Sequence, residues 1–244
     1  MTKNQTSEHE AREEICRVGK SLFERGYVHA TAGNISVRLD DGYLMTPTDA
    51  CLGFLDPAKL AKLDFNGQQL SGATASKTLA LHRAIYQATQ TIDPQSACII
   101  HTHSTHCVAL SLRRPVTTLT GETNEPAQQS DRAQTDLELL PALTPYFVMK
   151  VGRVPLIDYY RPGSELAAKA VAERIKRYAA LGRPVRAVML ARLGPNVWHH
   201  SPAATMAVLE ELEETAKLSL ALPHAEPLSE SQIEELRQSF GARW

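Results

Sequence analysis

The 244-residue chain is poor in the groups that would announce a specialised class. It has only four cysteines, two tryptophans and five phenylalanines. Cys16, Cys51, Cys98 and Cys107 are far apart and form no C-x-x-C pair. That argues against a disulfide scaffold or a thiolate metal site and makes reduced thiols in a cytoplasmic setting the expectation. No apolar run nears the roughly 20 residues that span a bilayer, and the opening segment MTKNQTSEHEAREEICRVGK has no apolar stretch of the signal-peptide kind. Neither sign of charge dominates: 26 Lys and Arg stand against 27 Asp and Glu, for a net charge of −1. Without a basic excess the chain has no electrostatic means of gathering nucleic acid or an acidic membrane surface. Small-molecule chemistry is what these absences leave.

At 43% hydrophobic and 22% charged, the composition supports a sizeable core. Strand and helix signals mix throughout. Ser7 caps a helix whose apolar face is Ile15, Val18, Leu22 and Phe23, stopped at Gly26. Residues 33–39 and 43–46 alternate like the arms of a hairpin around Asp40-Asp41-Gly42. Further strands are expected over 60–65, 97–100, 146–151, 154–158 and 187–191. Helices are expected over 79–90, 106–112, 164–181, 203–222 and 229–240, the 203–222 helix with its glutamates outward. Residues 113–142 show little periodicity and read as a long surface loop. The expectation is a single layered α/β domain over 1–244, with its core over about 10–220 and a helical extension over 223–244.

The stretch Ile99-Ile100-His101-Thr102-His103-Ser104-Thr105-His106 carries the most chemistry. Positions i and i+2 of an extended chain face the same side, so His101 and His103 can grip one metal ion. Imidazole suits zinc and other late first-row ions. The alternative is that both rings cap the strand and bond to backbone. Three protein ligands are usual at a catalytic metal, and His29, His82, His199, His200 or a carboxylate are the candidates for the third; none has diagnostic spacing. His106 is a neighbour of the pair, and His199-His200 reads as a loop after a strand.

Three short segments suit an anion. Gly33-Asn34 lets backbone approach closely and offers a side-chain amide. Thr46-Pro47-Thr48 places hydroxyls on a constrained turn. Ser76-Lys77-Thr78 precedes a helix, whose free N–H groups and dipole attract anions. Each alone is equally an ordinary turn or helix cap.

Together these segments resemble the class II aldolase/adducin superfamily. The resemblance rests on Gly33-Asn34-Ile35-Ser36-Val37-Arg38, Thr46-Pro47-Thr48, Ser76 through His82, His101-Thr102-His103-Ser104, Gly194-Pro195 and Glu210-Glu211-Leu212-Glu213, in that order. Pro145 through Gly152 and Tyr159-Tyr160-Arg161-Pro162-Gly163 look most like the 3-oxo-tetronate 4-phosphate decarboxylases of that superfamily. The resemblance implies a three-layer α/β/α fold with a largely antiparallel sheet, and a homotetramer with interfacial active sites. It implies substrate phosphate on Asn34, Thr48, Ser76 and Lys77, and one divalent ion, zinc or alternatively manganese, on His101, His103 and a later histidine.

The chain departs from that pattern. Leu193 stands where the third histidine belongs, Thr78 where the aldolases carry an acid/base glutamate, and Asp49 where a glycine follows the threonine turn. An aldol mechanism loses its proton-moving carboxylate, whereas decarboxylation chiefly needs the developing negative charge stabilised. The reading is a metal-dependent decarboxylase of a small phosphorylated sugar acid, with Lys77, Thr78 and Tyr146 as candidate catalytic residues. Tyr146 would be supplied at a subunit interface. The alternatives are an aldolase or epimerase on another sugar phosphate, and a non-catalytic binding protein such as adducin.

Overall fold

The computed structural model describes residues 7–113 and 137–244. Among these described residues, eight strands form one sheet: β1 (Asn34–Arg38), β2 (Tyr43–Met45), β3 (Ala61–Leu63), β4 (Gln69–Ser71), β5 (Cys98–His101), β6 (Leu156–Ile157), β7 (Ala187–Leu190) and β8 (Gly194–His199), in the order β4-β3-β2-β1-β5-β8-β7-β6. Every pairing is antiparallel except β6 with β7. Six helices accompany it: α1 (Glu8–Glu24), α2 (Leu79–Thr89), α3 (Thr105–Arg113), α4 (Glu165–Ala180), α5 (Pro202–Ala221) and α6 (Glu230–Phe240).

The sheet separates two apolar cores, which makes the molecule three-layered. One face packs against α1, α3, α5 and α6 through side chains such as Ile15, Leu110, Leu209 and Ile233. The other packs against α2 and α4 through Leu81, Ile85, Val171 and Ile175. Helix α1 is started by a complete capping box, Ser7 with Glu10, and α6 by a second, Ser229 with Gln232. Among the described residues no helix is long and apolar enough to cross a membrane.

Several expectations need correction. The strand expected over 146–151 is a π-helical turn, Phe147–Val151. Its buried residues Phe147, Val148 and Val151 follow helical spacing, Thr144 Oγ1 caps the Phe147 amide at 3.1 Å, and Gly152 at φ +77° stops it. His199, read with His200 as a loop after a strand, is the last residue of β8 in the interior of the sheet, a strand that was not anticipated because its Gly-Pro start resembles a turn, while Asn196 through Trp198 are wholly buried. β4 was not anticipated, being a short, polar, exposed edge. Of the expected loop, residues 114–136 lie outside the described residues. Its end does not match a surface loop, since Leu139, Leu140 and Ala142 are buried in the core. Finally, Glu213 does not face outward: it is 3% exposed.

Candidate active site

Strand β5 delivers His101 at its end, directly opposite Asn34 of β1 on one side and Asn196 of β8 on the other. Paired residues project to the same face of a sheet, so Asn34 and His101 share a wall. Two glycines permit the crowding. A Cβ on Gly33, which sits at φ +86°, would lie 2.9 Å from the His101 carbonyl oxygen, and one on Gly194 would lie 1.8 Å from that of Thr102. The chain can therefore fold tightly over both sides of the histidine segment.

His101 Nδ1 lies 2.9 Å from the Pro195 carbonyl oxygen. A carbonyl only accepts, so Nδ1 carries the proton and Nε2 keeps its lone pair. The His101 and His103 ring centroids are 5.1 Å apart. Two imidazoles sharing one tetrahedral ion, with metal–nitrogen bonds of about 2.0–2.1 Å, have centroids about 5 Å apart. Burial pushes the His101 pKa down to about 4, with His103 adding to the effect, and burial and His29 lower that of His103. Both rings are thus neutral imidazoles rather than cations at neutral pH. The donor set fits a divalent ion through two imidazoles.

Among the described residues, no group of three His, Cys, Asp or Glu side chains is placed to hold a metal ion. His29 comes nearest, with its ring 6.5 Å from that of His103. His82 is fully buried behind the site, 2.7 Å from Ser36 Oγ, with its pKa depressed to about 3 by burial. His199 and His200 meet edge to face at the far end of β8, and His106 Nδ1 bonds to Glu213. Leu193 takes its place in the cavity wall as an apolar side chain.

The cavity beside the two histidines has a volume of about 230 Å³. Asn34, Thr48, Ser76, Lys77 and Thr78 all line it. Local pairing explains how distant segments meet: the Ser76 amide donates to the Thr46 carbonyl at 3.2 Å, and the Thr48 amide to that of Thr74 at 2.8 Å. The threonine turn and the entry to α2 therefore run side by side. Asn34 is 6% exposed, yet its Oδ1 has no hydrogen-bond partner. A buried amide oxygen without a partner is costly unless a ligand or water satisfies it. Among the described residues Lys77 has no ion pair, while Ser76 Oγ and Thr78 Oγ1 lie 3.1 Å apart.

Among the described residues, three that are not glycine have positive φ: Ala30 (48°), Asp49 (54°) and Arg192 (66°). Asp49 itself lines the cavity, and the other two are next to Thr31 and Leu193, which also do. Such backbone strain costs on the order of 1–2 kcal/mol per residue and tends to concentrate at functional sites. Tyr146, by contrast, is 63% exposed and lies outside the cavity wall of its own chain. Sequence reasoning gave no role to Tyr160, Arg161 and Ser164, which line the cavity from the β6–α4 connection. The available signal was an Arg-Pro-Gly-Ser run entering a helix.

Residues 13–220 match the family described as Class II Aldolase and Adducin N-terminal domain. The chain belongs to this family. As a class II aldolase family member it has a relative from Cupriavidus necator, named 3-oxo-tetronate 4-phosphate decarboxylase, that is 48% identical over 98% of this chain and 100% of the relative. A protein of the same name from Escherichia coli K12 is 38% identical over 94% of this chain and 96% of its own. Among solved structures of the class II aldolase fold, YgbL from Escherichia coli superposes with a TM-score of 0.77 at 36% identity, covering 94% of this chain and 99% of YgbL. An L-fuculose 1-phosphate aldolase superposes at 0.74 with 23% identity, covering 98% and 100%. At that identity it speaks for the fold alone.

Proposed function

We propose that the protein is a metal-dependent carbon–carbon lyase that decarboxylates 3-oxo-tetronate 4-phosphate to dihydroxyacetone phosphate and CO2. The observation that carries this reading is one cavity lined both by an imidazole pair at metal-sharing distance and by the Asn34, Thr48, Ser76 and Lys77 cluster. The near-full-length likeness to proteins bearing the decarboxylase name supports it.

Asn34, Thr48, Ser76 and Lys77 hold the phosphate. The Asn34 amide and two hydroxyls supply hydrogen bonds, and Lys77, at the start of α2, supplies a charge aligned with the positive end of the helix dipole. His101 and His103 are the ligands of a divalent ion, zinc in the first instance and manganese in the second, which when bound supplies Lewis-acid polarisation of the 3-oxo group. Fixing His101 Nδ1 on the Pro195 carbonyl keeps Nε2 available and the ring oriented. As the C1–C2 bond breaks, its electron pair passes to C2 and the carboxyl carbon leaves as CO2. C2 must then take up a proton. Thr78, where a carboxylate would repel a multiply charged anion, offers an uncharged hydroxyl instead. Tyr146, exposed on its own chain, serves as proton donor to the cavity of a neighbouring subunit in a cytoplasmic homotetramer.

Incubating the purified protein with 3-oxo-tetronate 4-phosphate, with and without chelator, tests the reading. CO2 and triose phosphate should appear together and the chelator should stop both. Release of an aldehyde instead of CO2 would mark an aldolase. No turnover with any divalent ion would end the proposal.

A further inference from the structure

The substrate of the proposed reaction has two anionic ends, and the phosphate cluster accounts for one of them. The cavity carries a second cationic pole that this reading leaves unused. Arg161 lines it from the β6–α4 connection and, among the described residues, makes no ion pair. The turn that presents it is held by the Ser164 amide donating to the Arg161 carbonyl at 3.1 Å, with Gly163 at φ +76°. Ser164 is the N-cap of α4, but its hydroxyl does not cap the helix, and it too lines the cavity. The first turns of both α2 and α4 therefore open on one space. Each comes with one cation that makes no ion pair among the described residues, Lys77 or Arg161, and one hydroxyl residue at the N-cap, Thr78 or Ser164. That a hydrogen-bonding ligand fills this space is argued independently by Asn34, whose buried Oδ1, an acceptor, lacks a donor on the same wall.

The two cations are not equivalent in chemistry. Lys77 is a point charge beside the Thr48 and Ser76 hydroxyls, a set suited to a phosphoryl group. Arg161 presents a planar fork that matches a carboxylate with two parallel hydrogen bonds. We infer that Arg161 is the specificity-determining residue for the substrate's carboxylate, holding it at the α4 end of the cavity while the phosphate sits at the α2 end. This assignment rests on the decarboxylase reading above. It also carries a kinetic consequence. The carboxylate loses its charge as it becomes CO2, so its hold on the guanidinium weakens toward the transition state. Arg161 therefore contributes to binding and selection rather than to the rate of the bond-breaking step.

The experiment separates the two poles with two ligands, measured calorimetrically on the full-length metal-loaded protein: dihydroxyacetone phosphate, which has no carboxylate, and a tetronate, which has no phosphate. Arg161→Gln should weaken tetronate binding about tenfold or more, the scale of a lost charge-assisted bond, and leave dihydroxyacetone phosphate within about twofold. Lys77→Gln should do the reverse, and Arg161→Lys should recover part of the loss. In turnover, Arg161→Gln should raise KM about tenfold or more while kcat moves less than about threefold. Arg161 is exposed and makes no ion pair among the described residues, so the variant should melt with the wild type. If Arg161→Gln leaves tetronate binding intact, or weakens dihydroxyacetone phosphate as much, the assignment is wrong while the functional reading stands. If the wild type binds neither ligand, the functional reading itself falls.

Discussion

Glu213 Oε1 accepts two hydrogen bonds from His106, one from its backbone amide and one from its ring Nδ1, each at 2.8 Å. The second carboxylate oxygen accepts from the Cys107 amide at 3.1 Å. One buried carboxylate on α5 thus closes the N-terminus of α3, the helix that begins two residues after His103. The first-turn amides of a helix lack internal partners, and here an acidic side chain from another helix satisfies them. The arrangement ties the α5 layer to the segment carrying His101 and His103.

Glu213→Ala should therefore destabilise the protein by about 3 kcal/mol or more, because it leaves buried amides unpaired. Glu213→Gln, which keeps an acceptor, should cost less. Burial raises the Glu213 pKa, but the His106 and Cys107 hydrogen bonds outweigh it and hold the group below the usual carboxylate value. With the folded pKa depressed, this stabilisation is fully present above the unfolded value and is lost as pH falls through the folded one. Urea midpoints measured from pH 7 downward should show wild type and Glu213→Gln converging. A constant gap across that range would contradict this account.

Replacing both His101 and His103 with alanine should abolish bound metal in protein purified without chelator, and activity with it. Elemental analysis and the CO2 assay read the two losses separately. Full activity in the double variant would remove the metal from the mechanism.

Leu193→His puts an imidazole into the cavity wall where the chain now has an apolar side chain. A third ligand should tighten metal binding by about tenfold or more, read by chelator competition. Leu193 packs against the α2–α4 core, so some loss of melting temperature should accompany the gain. Unchanged affinity would mean that position 193 does not reach the ion.

Tyr146→Phe keeps the ring and removes the hydroxyl. If Tyr146 donates a proton across a subunit boundary, kcat should fall at least about tenfold with KM little changed. Mixing impaired Tyr146→Phe and His101→Ala subunits should then raise activity, through hybrid sites, above that of either variant alone. Sedimentation should show the wild type as a tetramer, and a monomer with full activity would exclude the role.

The closeness of His101 and His103 was legible from their two-residue separation, although only His101 lies in β5 and His103 follows it in the connection to α3. The hairpin and the long helices were legible from local periodicity. Legibility failed where local and tertiary preferences conflict. β8 begins with Gly-Pro, which reads as a turn until β5 and β7 flank it. Phe147–Val151 looks strand-like in composition, but its buried residues obey helical spacing. Glu213 sits in a run of glutamates that resembles a solvated face, and only the orphan amides of α3 give it a reason to be inside.

The sequence by itself determined the order of the phosphate-type and histidine motifs, the residues that make them up, and the absence of a histidine at position 193, because these are matters of chemistry and short-range geometry. The tertiary structure decided which of them meet. Asn34 lies beside His101 through strand register, Thr48 beside Ser76 through a bridge between loops, and Arg161 enters the same cavity from a helix start more than 80 residues after Lys77. No periodicity encodes such meetings, since they depend on which surfaces the two cores bury together.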